Sequence, residues 1–430
     1  MTWWRREAGA VARSGWTYAA LWALSRALLA YEWSHFTSYI VGDVSYYLSQ
    51  ITNATSWSSS LVEYPTPVAW AMQLLRVLTG ANRGAFVWAF AISMLALDAA
   101  MARLTWRLSS PRWRVPAVLT WIAFVLLMGP IAYFRFDMAP AVLAGAGAFL
   151  YRRRPALAGT LIACGAALKL WPALLVLPLL GTGRRGVRTA VGFGVTGGVL
   201  ALASLAIGGW ARLISPLTWQ SDRGLQIESL PATPLMWLRS ASPTPEWVVG
   251  LSRYNAFEIT GPGVDAALQA ASVLTLVGFL LAIIIGVRAA WSMKRTSRTV
   301  AVVMLAIILV MIDVNKTLSP QYILWLGGPL TALMGGSEDD SSPSLGWPAL
   351  WAIAGGALAF LTQVVYPLRY GEIVYGTGTP GAVADLVIRN VFLVAFTVVV
   401  CWKAWTLTRR RRAEQAGHES LEVEAPGGVA

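Results

Sequence analysis

One acidic residue, Asp43, has the chemistry and surroundings of a base that could take a proton from a hydroxyl group. It is followed by Tyr46 and Tyr47 and lies where an apolar segment ends. A carboxylate at a membrane interface holds a proton more readily than one in water, which suits general-base catalysis. The same residue could instead cap a helix. Glu63, near the end of the same polar stretch, is a secondary candidate for this base. Tyr46, Tyr47 and Glu63 are also candidates for substrate binding.

Four cations from four distant stretches lie on the predicted outer face, and they are Arg135, Lys169, Arg223 and Lys316. An arginine can bind a phosphate through two parallel hydrogen bonds. Each cation could equally be a lone anchor, and Lys169 could reach the lipid headgroups. Because all four share one face with Asp43, a single site for an anionic ligand is the more economical interpretation.

Further polar residues accompany these cations. Arg135 is followed closely by Asp137, and two opposite charges between apolar segments are costly unless they are paired or used. The densest polar stretch surrounds Arg223. The substrate-binding candidates in these stretches are Asp137, Asp222, Gln226, Glu228, Gln321 and Tyr322.

The elements that must position these residues are membrane helices. The 430-residue chain is 56% hydrophobic and only 13% charged, with a mean hydropathy of +0.57, whereas soluble domains are about 25% charged. A full span needs about 20 apolar residues, so the short segments between 137 and 183 predict broken or tilted helices. The predicted spans are 14–33, 84–103, 115–134, 137–151, 156–169, 171–183, 187–208, 264–288, 299–315, 318–334, 347–366 and 383–405. The expected fold is an all-α polytopic membrane protein, a bundle of about 10–12 transmembrane helices.

The arginine pattern orients this bundle. Positive residues mark cytoplasmic loops, which explains the net charge of +13 without nucleic acid. The outer face then receives two long loops, 34–83 and 209–263. Residues 1–407 form the membrane domain, and residues 408–430 form a basic cytoplasmic tail that is expected to be disordered. The residues that define the cytoplasmic face are Arg5, Arg6, Arg13, Arg103, Arg107, Arg112, Arg114, Arg152–Arg154, Arg184, Arg185, Arg188, Arg288, Lys294, Arg295, Arg298 and Arg409–Arg412.

Metal and disulfide chemistry find little support in the sequence. The only cysteines, Cys164 and Cys401, both lie inside apolar runs, and the only histidines are His35 and His418. Buried cysteines of this kind behave as small hydrophobic residues. We therefore predict no metal site and no cofactor.

Taken together, the polar stretches resemble glycosyltransferase family 87, whose members are membrane enzymes of the GT-C class. The two most specific pieces are Ala167–Pro172, which contains Lys-Leu-Trp-Pro, and Asp222–Ser229, which reads Asp-Arg-Gly-Leu-Gln-Ile-Glu-Ser. The other matching pieces are Gly42-Asp43, Tyr64-Pro65, Arg135-Phe136-Asp137 and Ser319-Pro320-Gln321-Tyr322.

The resemblance implies an inverting α-mannosyltransferase on the outer face of the cytoplasmic membrane. Its donor would be a polyprenyl-phosphate sugar, its acceptor a glycolipid or polysaccharide, and its further partners membrane lipids. The family's catalytic base falls on Asp43. The chain departs from the family in one respect, because a characterised member has a functional histidine in a later segment and this chain has none between His35 and His418.

Other functions stay open at this point. A transferase using polyprenyl-phosphate-arabinofuranose would share almost every feature. A transporter or flippase for a lipid-linked glycan would need polar groups at mid-membrane depth and repeated halves. No clear repeat is present, and of the main acidic residues in the predicted spans, Asp98 and Asp313, the second could pair with Lys316. A binding protein without catalysis is the fourth possibility.

Overall fold

The computed structural model describes residues 14–181, 183–244, 246–292, 296–336 and 346–408, and these ranges are predominantly helical. Among the described residues, five helices are long and apolar enough to cross a membrane, and they are Arg83–Leu108, Arg184–Ser221, Val264–Ala290, Gly346–Leu368 and Pro380–Leu407. The predicted all-α polytopic membrane protein is thereby confirmed. The α-helices are α1 Gly15–Phe36, α2 Gly42–Asn53, α3 Thr66–Thr79, α4 Arg83–Leu108, α5 Arg114–Met128, α6 Met138–Leu150, α7 Pro155–Leu168, α8 Arg184–Ser221, α9 Thr233–Ala241, α10 Val264–Ala290, α11 Ser297–Asp313, α12 Gly327–Gly335, α13 Gly346–Gln363, α14 Tyr370–Val374 and α15 Pro380–Leu407.

The short helices expected between residues 137 and 183 are present. α6 and α7 have 13 and 14 residues, and a 3₁₀-helix, Trp171–Leu179, follows them. Pro172 and Pro178 lie in that segment and cannot donate the backbone hydrogen bonds of a regular α-helix. A second 3₁₀-helix, Pro320–Leu326, precedes α12. These breaks place polar residues beside a cavity, where irregular backbone is tolerated.

Helix α11 lies at the centre of the bundle, and nearly all its side chains are buried. At the periphery, α7 and α8 approach closely through glycines. A Cβ atom on Gly159 would lie 2.1 Å from the carbonyl oxygen of Thr189, and one on Gly192 would lie 2.0 Å from that of Ala156. Small residues let membrane helices pack backbone against backbone. Replacing either glycine would therefore force the two helices apart.

The two stretches predicted as long outer loops contain ordered elements. The first holds α2 and α3, and α8 extends into the second after a non-helical residue, Gly209. Beyond this break the buried Arg212 donates hydrogen bonds to the carbonyl oxygens of Ser60, Leu61 and Tyr64, at 2.9–3.1 Å. Arg212 thereby fixes the end of α8 to the first outer stretch.

The second stretch predicted as an outer loop also forms a small antiparallel sheet. Its strands are β1 Leu225–Gln226, β2 Val248–Leu251 and β3 Phe257–Thr260, in the order β1-β3-β2. The register pairs Gln226 with Glu258 and Leu251 with Phe257. The apolar residues of the sheet form a separate core with α9, α14 and the first turns of α15. The sheet supports the polar segment that begins at Arg223.

Some sequence predictions fall outside the described residues. They include the arginines before the first span, the basic pair Lys294 and Arg295, and the cytoplasmic tail from Arg409 onward.

Candidate active site

A cavity of about 850 Å³ is lined by residues from the two stretches predicted as outer loops and from the helices next to them. It brings together most of the residues singled out in the sequence, including all four cations predicted to share one face. Three candidates, Tyr47, Asp137 and Asp222, do not line it. The predicted residues that do are Asp43, Tyr46, Glu63, Arg135, Lys169, Arg223, Gln226, Glu228, Lys316, Gln321 and Tyr322.

Asp43 lies in the first turn of α2, and its side chain is 25% exposed. Its Oδ2 atom is 2.7 Å from Nε of Arg135. Its Oδ1 atom accepts a hydrogen bond of 3.2 Å from the side-chain amide of Asn255. The carboxylate is thus held from two sides and still reaches the cavity, as a base for an incoming hydroxyl must.

Arg135 is almost fully buried, and most of its donors are in use. Nη1 donates to the carbonyl oxygens of Ile40 and Phe134, at 3.1 and 2.9 Å, and Nη2 donates to the hydroxyl of Tyr366 at 3.2 Å. Little of the guanidinium is left for a phosphate. The contacts therefore favour a role in fixing Asp43 over the predicted support of a donor phosphate.

Arg223 and Lys316 form the cationic part of the cavity. The Arg223 guanidinium lies 5.9 Å from the ring of Tyr254, and within the described ranges its buried Nε atom has no hydrogen-bond partner. Lys316 Nζ donates to the carbonyl oxygen of Ser221 at 2.9 Å. Burial lowers the pKa of Lys316 and nearby Arg223 adds to that lowering, while the carboxylates of Glu258 and Asp222 act in the opposite direction. Fixed cations that line a cavity are suited to stabilising the negative charge of a bound anion.

The backbone places these two cations. The amide of Gln226 donates to the carbonyl oxygen of Lys316 at 3.1 Å, which joins β1 to the segment after α11. Gly224 separates Arg223 from β1, and a Cβ atom there would lie 2.6 Å from a carboxylate oxygen of Glu258. The close approach explains why glycine suits this position.

A stacked aromatic wall lies beside Lys169. The ring centroids of Trp171 and Tyr322 are 4.4 and 4.3 Å from that of Trp325. Lys169 Nζ is 2.6 Å from Oδ1 of Asp137, which also accepts a 2.6 Å hydrogen bond from the Trp325 indole. Asp137 is therefore a buried counter-ion that orients two cavity residues. The flat aromatic faces can stack on a sugar ring.

Two further carboxylates line the cavity. Glu228 is fully buried, and its Oε2 atom lies 3.3 Å from Nη2 of Arg389. Among the described residues neither carboxylate oxygen has a hydrogen-bond partner, and the same holds for Oε1 of Glu63. Burial raises the pKa of Glu228 to about 7 and raises that of Glu63. Glu228 can therefore accept or donate hydrogen bonds to ligand hydroxyl groups near neutral pH, and Oε1 of Glu63 is a free acceptor among the described residues.

Sequence reasoning missed Arg389, Asn255 and Tyr254. Arg389 is a charged residue within a predicted span, and that position alone marks it as a functional candidate. Asn255 and Tyr254 lie in a turn whose path over the cavity only the folded chain reveals. His35 is exposed at the end of α1, stacked on Tyr31, and does not line the cavity.

Two acidic residues within the predicted spans, Asp98 and Asp313, differ in their surroundings. Asp98 is fully buried and accepts hydrogen bonds from Arg26 and from the hydroxyl of Tyr133. Such a satisfied pair is structural. Asp313 does not pair with Lys316, whose amino group bonds to a carbonyl oxygen instead. In the described part of the chain, no group of three or more His, Cys, Asp or Glu side chains could hold a metal ion.

The sequence of the chain matches a known protein family. The model of glycosyltransferase family 87 matches residues 64–320, more than half of the chain, and this range contains Arg135, Lys169, Arg223 and Lys316. Asp43 precedes the matched range and Arg389 follows it. No curated protein and no solved structure matches the chain. The chain belongs to glycosyltransferase family 87.

Proposed function

We propose that the protein transfers a sugar, in the first place mannose, from a polyprenyl-phosphate carrier to a lipid- or glycan-linked acceptor. The reaction would take place on the outer face of the cytoplasmic membrane and would invert the anomeric configuration. The observation that carries the proposal is one cavity, of about 850 Å³, lined by a carboxylate base, Asp43, and a cation pair, Arg223 and Lys316.

Asp43 supplies the base that a direct displacement requires. The acceptor hydroxyl gives its proton to Asp43, and its oxygen forms the new bond to the anomeric carbon. The bond from that carbon to the phosphate oxygen breaks, and the electron pair leaves with the phosphate. One base suffices for this reaction, unlike the carboxylate pair of glycoside hydrolysis.

Arg223 and Lys316 supply the charge that the leaving phosphate needs. Negative charge develops on the phosphate as the sugar departs, and fixed cations stabilise that charge without reorganisation. Lys169 is already neutralised by Asp137, at 2.6 Å. We therefore assign Lys169 to the aromatic wall that receives the sugar, with Arg223 and Lys316 on the phosphate.

An apolar side of the cavity supports a lipid-linked donor. Leu217 of α8 and Phe279 of α10 line the cavity and are also 63% and 40% exposed on helices long enough to span a membrane. Leu170, the residue before the 3₁₀-helix Trp171–Leu179, also lines the cavity and is exposed. A polyprenyl chain could lie between these helices in the bilayer while its phosphate reaches Arg223.

A transfer assay tests the proposal. Membranes with the wild-type protein or with Asp43→Asn receive a synthetic polyprenyl-phosphate donor carrying radiolabelled mannose, and lipid acceptors are extracted and counted. The expected result is transfer by the wild type alone. The arabinofuranose donor and a nucleotide sugar are run in parallel. Transfer only from the arabinose donor would correct the sugar, and transfer only from the nucleotide sugar would refute the proposed carrier.

A further inference from the structure

The turn between β2 and β3, residues 252–256, reaches over the cavity. Tyr254 and Asn255 both line it. The amide of Ser252 donates to the carbonyl oxygen of Ala256 at 2.9 Å, which closes the turn. β3 lies between β1 and β2, so the turn is carried by the same sheet that holds the segment following Arg223.

Tyr254 fixes the turn in place. Its hydroxyl donates to the carbonyl oxygen of Asp222 at 3.0 Å, and its ring packs edge-on against Trp219 with centroids 5.1 Å apart. The same ring lies under the Arg223 guanidinium. Tyr254 therefore anchors the turn beside Arg223, and the next residue, Asn255, contacts Asp43.

Asn255 contacts one oxygen of Asp43, and Arg135 contacts the other. The distances are 3.2 Å from Asn255 Nδ2 to Oδ1 and 2.7 Å from Arg135 Nε to Oδ2. An ionised carboxylate only accepts hydrogen bonds, so the amide nitrogen must face it. With Asn255 absent, the carboxylate would be held at Oδ2 alone and could turn about its Cβ–Cγ bond.

We propose that Asn255 is a positioning residue that holds Oδ1 of Asp43 toward the acceptor hydroxyl. The inference rests on the proposed function, because it assigns the side chain that orients the base of that reaction. Asn255 touches neither the sugar nor the phosphate in this scheme. Its effect passes through Asp43, so it changes the chemical step more than the binding of substrates.

The backbone gives Asn255 a second reason to be asparagine, and the test must separate the two. Its φ of 53° lies in the left-handed region, which glycine, asparagine and aspartate adopt most readily. Asn255→Gly therefore keeps the turn and removes the amide. Asn255→Asp keeps the turn and places a second carboxylate against Asp43. The pair forms a matched set in which only the side-chain chemistry changes.

Kinetics of the two variants, with the wild type and Asp43→Asn, test the proposal. Loss of a hydrogen bond to a charged group predicts a fall in kcat of about tenfold in Asn255→Gly, with KM within about threefold. Two adjacent carboxylates resist joint ionisation, so the acid limb of the Asn255→Asp activity profile moves to higher pH by about one unit. The other titratable side chains around Asp43 are Arg135, Tyr46, Tyr47, Tyr64, Tyr366 and Tyr370.

The outcomes separate this proposal from the proposed function. Inactive Asp43→Asn together with wild-type kcat and pH profile in both Asn255 variants overturns the role of Asn255 alone. An active Asp43→Asn removes the base and the positioning role with it. If the wild type transfers no sugar, the proposed function fails. The hydrogen bond between Asn255 and Asp43 is then tested by the unfolding temperatures of Asp43→Asn, Asn255→Gly and the double mutant. If the two single-mutant shifts in unfolding temperature add up to that of the double mutant, the contact between Asn255 and Asp43 is refuted. A clear departure from additivity supports the contact.

Discussion

Replacing Asp43 with asparagine is expected to stop transfer while the fold persists. The substitution preserves shape and removes the proton acceptor. A positioned general base contributes about 10²–10⁴-fold to rate, so we expect kcat to fall by about a thousandfold with the KM for donor little changed. The assay is initial-rate transfer from the polyprenyl-phosphate donor to extracted lipid acceptor, normalised to folded protein.

The substitution also leaves Arg135 without its counter-ion, and that loss must be kept apart from catalysis. The Arg135 side chain is 7% exposed and that of Asp43 is 25% exposed. Breaking a fully buried pair costs about 3–5 kcal/mol, so a half-shielded one should cost roughly 1–3 kcal/mol. The unfolding temperature should therefore drop without loss of the folded state.

Asp385→Asn is the matched control. Asp385 pairs with Arg369, its side chain is 27% exposed, and it does not line the cavity. Arg369 also pairs with Glu372 at 2.8 Å, so the control should lose less stability than Asp43→Asn and keep its activity per folded molecule. Near wild-type turnover in Asp43→Asn, or an equal loss of activity in Asp385→Asn, would refute the reasoning that makes Asp43 the base.

Three further predictions concern the rest of the cavity. Lys316→Met and Arg223→Gln should each raise the donor KM and lower kcat, together costing about 10²-fold or more in kcat/KM, since charged hydrogen bonds contribute about 1.5–3 kcal/mol each; unchanged donor kinetics would move the phosphate elsewhere. Protonation of Glu228 should contribute stability that is lost as pH rises from 4.5 to 7, because burial raises the pKa of Glu228 from 4.5 to about 7 and the folded state holds the proton longer; in thermal unfolding, Glu228→Gln should lose less stability over this range than the wild type. Trp325→Leu removes the middle ring of the stack and the indole bond to Asp137, so it should raise the KM for the sugar donor and, because Trp325 is buried, also lower the unfolding temperature; an unchanged KM in the folded variant would remove the aromatic wall from the donor site.

Much of the architecture follows from local patterns in the sequence. Apolar runs of membrane length, flanked by arginines, predict a helical membrane protein, and the helices are present. The short runs between residues 137 and 183 predict broken helices, because they are too short to span and contain Pro172 and Pro178. The interior polar residues could also be found from sequence, since charges between apolar segments are costly unless they are used.

The partners of those residues depended on the tertiary structure. Arg135 precedes Asp137 by two residues, yet it contacts Asp43, and Asp137 pairs instead with Lys169. Charge type is visible in a sequence, but the partner of a charge depends on distances between elements far apart in the chain. The same reason hid Asn255, whose amide lies against a carboxylate 212 positions away.

The sequence by itself determined the class of the molecule, its helices, and the residue types available for chemistry, because hydrophobic length and charge placement act locally. Only the tertiary structure decided which cations are free for an anion and which are already neutralised. Arg135 and Lys169 each hold a carboxylate, at 2.7 and 2.6 Å, whereas the amino group of Lys316 bonds to a backbone carbonyl oxygen and the guanidinium of Arg223 lies over the ring of Tyr254. The interaction energy of two charges depends on the distance between them. The packing of segments far apart in the sequence therefore decides which cation is paired with a carboxylate.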